Sequence, residues 1–130
     1  MHIDEGNLSV LDVQGPHLQS LLDQGRHDEL LREAKRLLSI DPDDFNVCQT
    51  AARFLIDGGS DAQNLEAINA GMVVIERLLR ECPKLDEEFT IRFRYNLSNG
   101  YGARYHYFRA RNQPGEADVE LQAQKEILQG

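Results

Sequence analysis

Cysteine is scarce in this 130-residue chain, which has only Cys48 and Cys82. Two thiols so far apart in sequence make neither a disulfide framework nor a metal-ligand cluster. They favour a reducing compartment, and a cytoplasmic location is expected. Long apolar runs are also missing. No segment approaches the length needed to span a membrane. The opening Met1-His-Ile-Asp-Glu-Gly-Asn carries early acids rather than the apolar stretch of a secretory signal. Basic residues are outnumbered, with 14 Lys and Arg against 22 Asp and Glu, for a formal net charge of −8. That balance argues against a surface that binds nucleic acid over its whole extent.

Chemistry-bearing patterns are equally sparse. His2, His17, His27 and His106 are scattered, and none stands at metal-ligand spacing from another His or Cys. Neither cysteine has the flanking cationic setting that would argue for a nucleophile. The carboxylates fall on polar faces and in loops, where paired acid–base chemistry is not indicated. No cofactor and no metal are read from the sequence, and binding rather than catalysis is expected. Period-2 alternation is absent, so strands are not expected.

What the chain does have is helical periodicity. Residues 1–14 read as a flexible lead-in and 15–130 as one helical domain. Gly15-Pro16 reads as a helix start, with Leu18, Leu21 and Leu22 at helical spacing and Gly25 as the stop. Leu30, Leu31, Ala34, Leu37 and Leu38 form one apolar face of a second helix, closed by Pro42. A third helix is predicted over 44–57, ended by Gly58-Gly59. Ser60 then reads as an N-cap, with Gln63 completing a capping box. Leu65, Ile68, Met72, Ile75 and Leu79 follow through a long fourth helix, with Pro83 after it. Asp86, Glu87 and Glu88 open a fifth, where the helix dipole favours negative charge. Phe89, Phe93, Leu97, Tyr101, Tyr105 and Phe108 line one side of that helix, Asn112-Gln-Pro-Gly115 makes a turn, and Leu121, Ile127 and Leu128 mark a sixth.

Two stretches carry a family resemblance. Gly25-Arg-His-Asp-Glu-Leu-Leu-Arg-Glu-Ala-Lys-Arg-Leu-Leu-Ser-Ile-Asp-Pro42 resembles the second helix of a tetratricopeptide (TPR) repeat, and Tyr95-Asn-Leu-Ser-Asn-Gly-Tyr101 resembles the core of a first helix. Ala52 and Gly71 fit the small positions where a repeat's two helices cross, whereas Leu18 and Leu30 depart from them. Extra length falls around Gly58 to Leu65. The resemblance implies an all-α chain of about six helices, arranged as three antiparallel TPR-like hairpins in a short right-handed solenoid. It also implies a scaffold that binds a protein or peptide partner in a groove lined by the first helices.

Helical phase nominates the ligand-facing residues. Residues 92–111 hold five arginines and no acid, interleaved with tyrosines. Arg92, Tyr95, Asn96, Asn99, Gly102, Ala103 and His106 share a face distinct from that of Phe93, Leu97 and Tyr101. Arg53 projects from the third helix toward the same groove. The expected ligand-binding set is Arg53, Arg92, Tyr95, Asn96 and Asn99, gripping the backbone or a carboxylate of a peptide. A second reading makes the arginine–tyrosine stripe an accessory RNA-binding surface in a larger nucleic-acid-processing protein. A third is self-association, since the apolar stripe of the last helix asks for more chain or for a second copy to cover it. The plainest alternative splits the stripe, with half the aromatics in the core and the arginines paired to neighbouring acids.

Overall fold

A computed structural model describes residues 2–81 and 87–129, with side-chain surroundings described from residue 13 onward. Among these residues there is no strand, and six helices follow one another: α1 (His2–Asp23), α2 (His27–Ile40), α3 (Phe45–Asp61), α4 (Leu65–Glu81), α5 (Glu87–Ala110) and α6 (Pro114–Gln129). Cys82, Pro83 and Asp86 lie outside the described residues, as do the readings attached to them. α1 begins at His2 rather than at Gly15, and Pro16 sits inside it at the cost of one backbone donor.

Each helix packs on the next in the chain, and α3 also packs on α1 and α5. This makes α3 the central element. One side of it (Val47, Ala51, Phe54, Leu55) joins Leu18 and Leu21 of α1, Leu30, Leu31, Ala34 and Leu37 of α2, and Ala67 of α4. The other side (Cys48, Ala52, Ile56) joins Ile68, Met72, Ile75 and Leu78 of α4 and Phe93, Leu97 and Ala103 of α5. A helix apolar on two sides is a buried helix.

Gly58-Gly59 does not end the third helix, as the sequence had led us to expect. The helix runs through both glycines to Asp61, and both are buried. A Cβ on Gly58 would come within 2.7 Å of Leu30 Cδ2, and one on Gly59 within 2.9 Å of the Ile68 backbone nitrogen. The bulk of Leu30 is thus received by a glycine on the facing helix. Ser60 is consequently inside α3 and caps nothing. The side chain of Asn64 caps α4 instead, accepting from Ala67 N at 3.1 Å, and Asp44 caps α3, accepting from Val47 N at 3.0 Å. Ala52 and Gly71 do meet: a Cβ on Gly71 would lie 2.7 Å from the Ala52 carbonyl oxygen.

The three hairpin turns share one geometry. Gly25, Gln63 and Asn112 each stand at positive φ, at 70°, 54° and 57°. In each turn the following N–H reaches back five residues: Arg26 to Leu21, Asn64 to Gly59, Gln113 to Phe108. That is the Schellman closure of a helix C-terminus, satisfying carbonyls the helix leaves unpaired. Arg111 joins two of these turns, donating to the Gln63 side chain at 3.2 Å and backbone carbonyl at 3.4 Å while its guanidinium lies 3.5 Å from the Tyr107 ring centroid. The apolar stripe of the last helix turns largely inward. Leu121 is half-buried, Ile127 packs on the α3–α4–α5 core, and of the three only Leu128 is exposed.

Candidate functional site

An open depression of about 430 Å³ lies where α3, α5 and α6 come together. α3 supplies Ile56, Asp57 and Ser60, α5 supplies Asn99, Gly102, Ala103 and His106, and α6 supplies Gln124. The spacing follows from helix geometry. Asn99, Gly102 and His106 recur at i, i+3 and i+7, and Ile56 with Ser60 at i and i+4, so each set forms one stripe. Ile56 and Ala103 are its buried apolar residues, and the polar groups around them form the rim.

Those polar groups are uncommitted. Among the described residues no side-chain hydrogen bond or ion pair engages Asp57, Asn99, His106 or the Ser60 hydroxyl. Gln124 differs, since its Nε2 donates to the buried Ser98 carbonyl at 3.1 Å. Burial pushes the Asp57 carboxyl above the ordinary carboxylate range; Arg53 opposes this and Asp61 adds to it.

The expected site residues are divided by the structure. Asn99 is exposed and lines the depression. Tyr95 is 61% exposed and lies one turn earlier on the same stripe. Arg53, also exposed, precedes Asp57 by one turn of α3, with its guanidinium 4.3 Å from the Phe54 ring centroid. Arg92 is at the far end of the stripe, donating to Glu88 at 3.3 Å and lying over Phe89. Asn96 does not share the open face. It is 5% exposed, and its Nδ2 is a buried donor without a partner. Its phase sets it one turn before Gly100, which packs against Met72, so the face drawn from the sequence was one position too wide.

The arginine stripe is mostly spent within the molecule. Arg104 donates to Asn69 Oδ1 at 2.7 Å and pairs with Glu120 at 3.5 Å, tying α5 to α4 and α6. Arg109 lies over Tyr105, and Arg111 is taken by Tyr107 and the neighbouring turn. The residues that sequence reasoning missed are Asp57, Ser60 and Gln124. Asp57 was legible, standing four residues after Arg53, but Ser60 was hidden behind the false helix end at Gly58-Gly59.

Cys48 is not isolated from cations, as its sequence neighbours implied. Arg77 of α4 donates to its sulfur at 3.6 Å, and the thiol itself points at the Pro42 carbonyl, 3.3 Å away. Burial still raises the thiol above its ordinary pKa, with Arg77 opposing, so the group is held as a neutral thiol rather than a nucleophile. Among the described residues no three His, Cys, Asp or Glu side chains gather as a metal site, and no helix is long and apolar enough to cross a membrane. No family model matches the chain, and no curated protein and no solved structure matches it significantly.

Proposed function

We propose that this chain is a non-catalytic interaction module, a short TPR-like stack of three hairpins that holds a peptide segment of a protein partner in the depression between α3 and α5. Two features support the stacking. Odd-numbered helices pack on one another while every helix packs on its successor, and all three hairpins close through the same turn. In such a stack the odd-numbered helices line one surface. The single observation that carries the binding reading is the set of uncommitted polar groups around the depression. A rim of amide, hydroxyl, imidazole and carboxylate whose side chains make no internal hydrogen bond or ion pair can exchange water for the backbone and side chains of an extended peptide. The five arginines of residues 92–111 carry less of the argument than their number promised, because Arg104 and Arg111 tie neighbouring elements together and Arg92 and Arg109 lie against side chains of their own helix.

Asn99→Trp tests the reading. Asn99 is exposed, so the indole fills the depression without entering the core. A peptide selected on an array against the unaltered protein loses affinity at least about tenfold for this variant, a change of ~1.4 kcal/mol, while the melting temperature stays where it was. Unchanged affinity means that the peptide sits elsewhere, and the depression is then not the site. Single-stranded RNA is the control ligand. If it binds more tightly than any arrayed peptide, with an affinity that falls steeply as salt rises, the peptide reading fails.

A further inference from the structure

We infer that the depression selects a peptide bearing a cationic side chain, lysine or arginine, which seats against Asp57. This rests on the peptide-groove reading and deepens it by naming the charge of the ligand. Asp57 is half-buried, lines the depression and has neither a hydrogen bond nor an ion pair among the described residues. The nearest cation in phase, Arg53, lies over the Phe54 ring rather than in an ion pair with it. Asp61, one turn further along α3, adds negative charge to the same end. No lysine or arginine lines the depression to balance them. Arg53 offsets the burial of Asp57 only in part, and a half-buried carboxylate with no direct hydrogen bond or ion pair is unfavourable in the free protein, so an incoming cation with N–H donors would relieve that cost. The raised position of its titration is what such an environment produces. Asn99 and Ser60, within the same depression, supply an amide and a hydroxyl for the peptide backbone on either side of that residue. Carboxylate- or phosphate-bearing ligands, which the arginine-rich sequence of α5 invited, meet like charge here instead.

The test uses the whole 130-residue chain and an array of short acetylated, amidated peptides in which every position is varied. The expected result is enrichment of lysine or arginine at one position. In fluorescence anisotropy, replacing that residue by norleucine or citrulline weakens binding about tenfold. Asp57→Asn abolishes the discrimination, so that the lysine and norleucine peptides bind it alike. Because Asp57 makes no hydrogen bond or ion pair that the fold relies on, a loss of discrimination in this variant reports on recognition. Three outcomes overturn the inference: enrichment of acidic peptides, enrichment with no charge preference, or a lysine preference that survives in Asp57→Asn. In the second case a peptide still blocked by Asn99→Trp leaves the groove reading standing, and a peptide indifferent to both variants removes the groove reading as well.

Discussion

At Gly71 a single methyl group decides how close α3 and α4 come. A Cβ there would sit 2.7 Å from the Ala52 carbonyl oxygen and 2.8 Å from Ile56 Cγ1, and the first of these is backbone that cannot swing aside. Alanine is the better helix former by about 1 kcal/mol. Forcing the helices apart costs about 1–3 kcal/mol, so we predict that Gly71→Ala destabilises the protein in urea unfolding. Gly115→Ala is the contrasting case, because nothing lies within 4 Å of its would-be Cβ. There the same substitution is neutral or stabilising by up to about 1 kcal/mol. Asp57 makes the opposite kind of prediction. Its folded-state titration is raised, so its stabilising contribution is present when it is protonated, below the ordinary carboxylate range, and is lost as pH rises through the folded value. Asp57→Asn therefore melts at or above the temperature of the parent near about pH 7, and the gap narrows as pH falls toward the ordinary Asp value of ~3.9. A parent more stable than the variant near neutrality would mean that Asp57 has an internal partner.

At the scale of the helix, the informative positions are the turns. Gly25 adopts φ 70°, where an L side chain is strained, so Gly25→Ala costs about 1–2 kcal/mol by urea titration. Gln63 and Asn112 occupy the equivalent places without being glycine, and so the shared turn could not be read from the sequence. Helix existence was legible for most of the chain, because the apolar spacing from Leu30 to Leu38 or from Leu65 to Leu79 has no other easy solution. Helix ends were less so. Gly58-Gly59 has the composition of a stop, but its glycines are there for close packing against Leu30 and Ile68, a cause that only tertiary contact reveals. That one misreading moved the end of α3, the cap of α4 and the place of Ser60 together. The candidate site was half legible for the same reason. Phase brought out the exposed stripe of Tyr95, Asn99 and His106, whereas the burial of Asn96 and the engagement of Arg104 and Arg111 depend on helices remote in sequence.

For the molecule as a whole, α3 is the member on which both cores depend, and the depression exists because α5 packs on α3 while α6, packed on α5, reaches its edge with Gln124. Core and site are therefore linked. Leu37 is 1% exposed in the core shared by α1, α2 and α3, and Leu37→Ala is expected to cost about 2–5 kcal/mol by leaving a cavity. The depression lies on the other side of α3, so the variant should retain peptide affinity at temperatures where it remains folded. The most direct test of the binding claim is a titration of the isotopically labelled protein with a lysine-containing peptide from the array, followed residue by residue through amide chemical shifts. The account predicts that the perturbed amides are those of Asp57, Ser60, Asn99, Gly102 and His106, with Tyr95 and Arg53 at the margin. Perturbations gathered instead on the outer face of α6, around Val119 and Gln122, or spread along Arg92, Arg94 and Arg109 with the α3 amides unmoved, would contradict it.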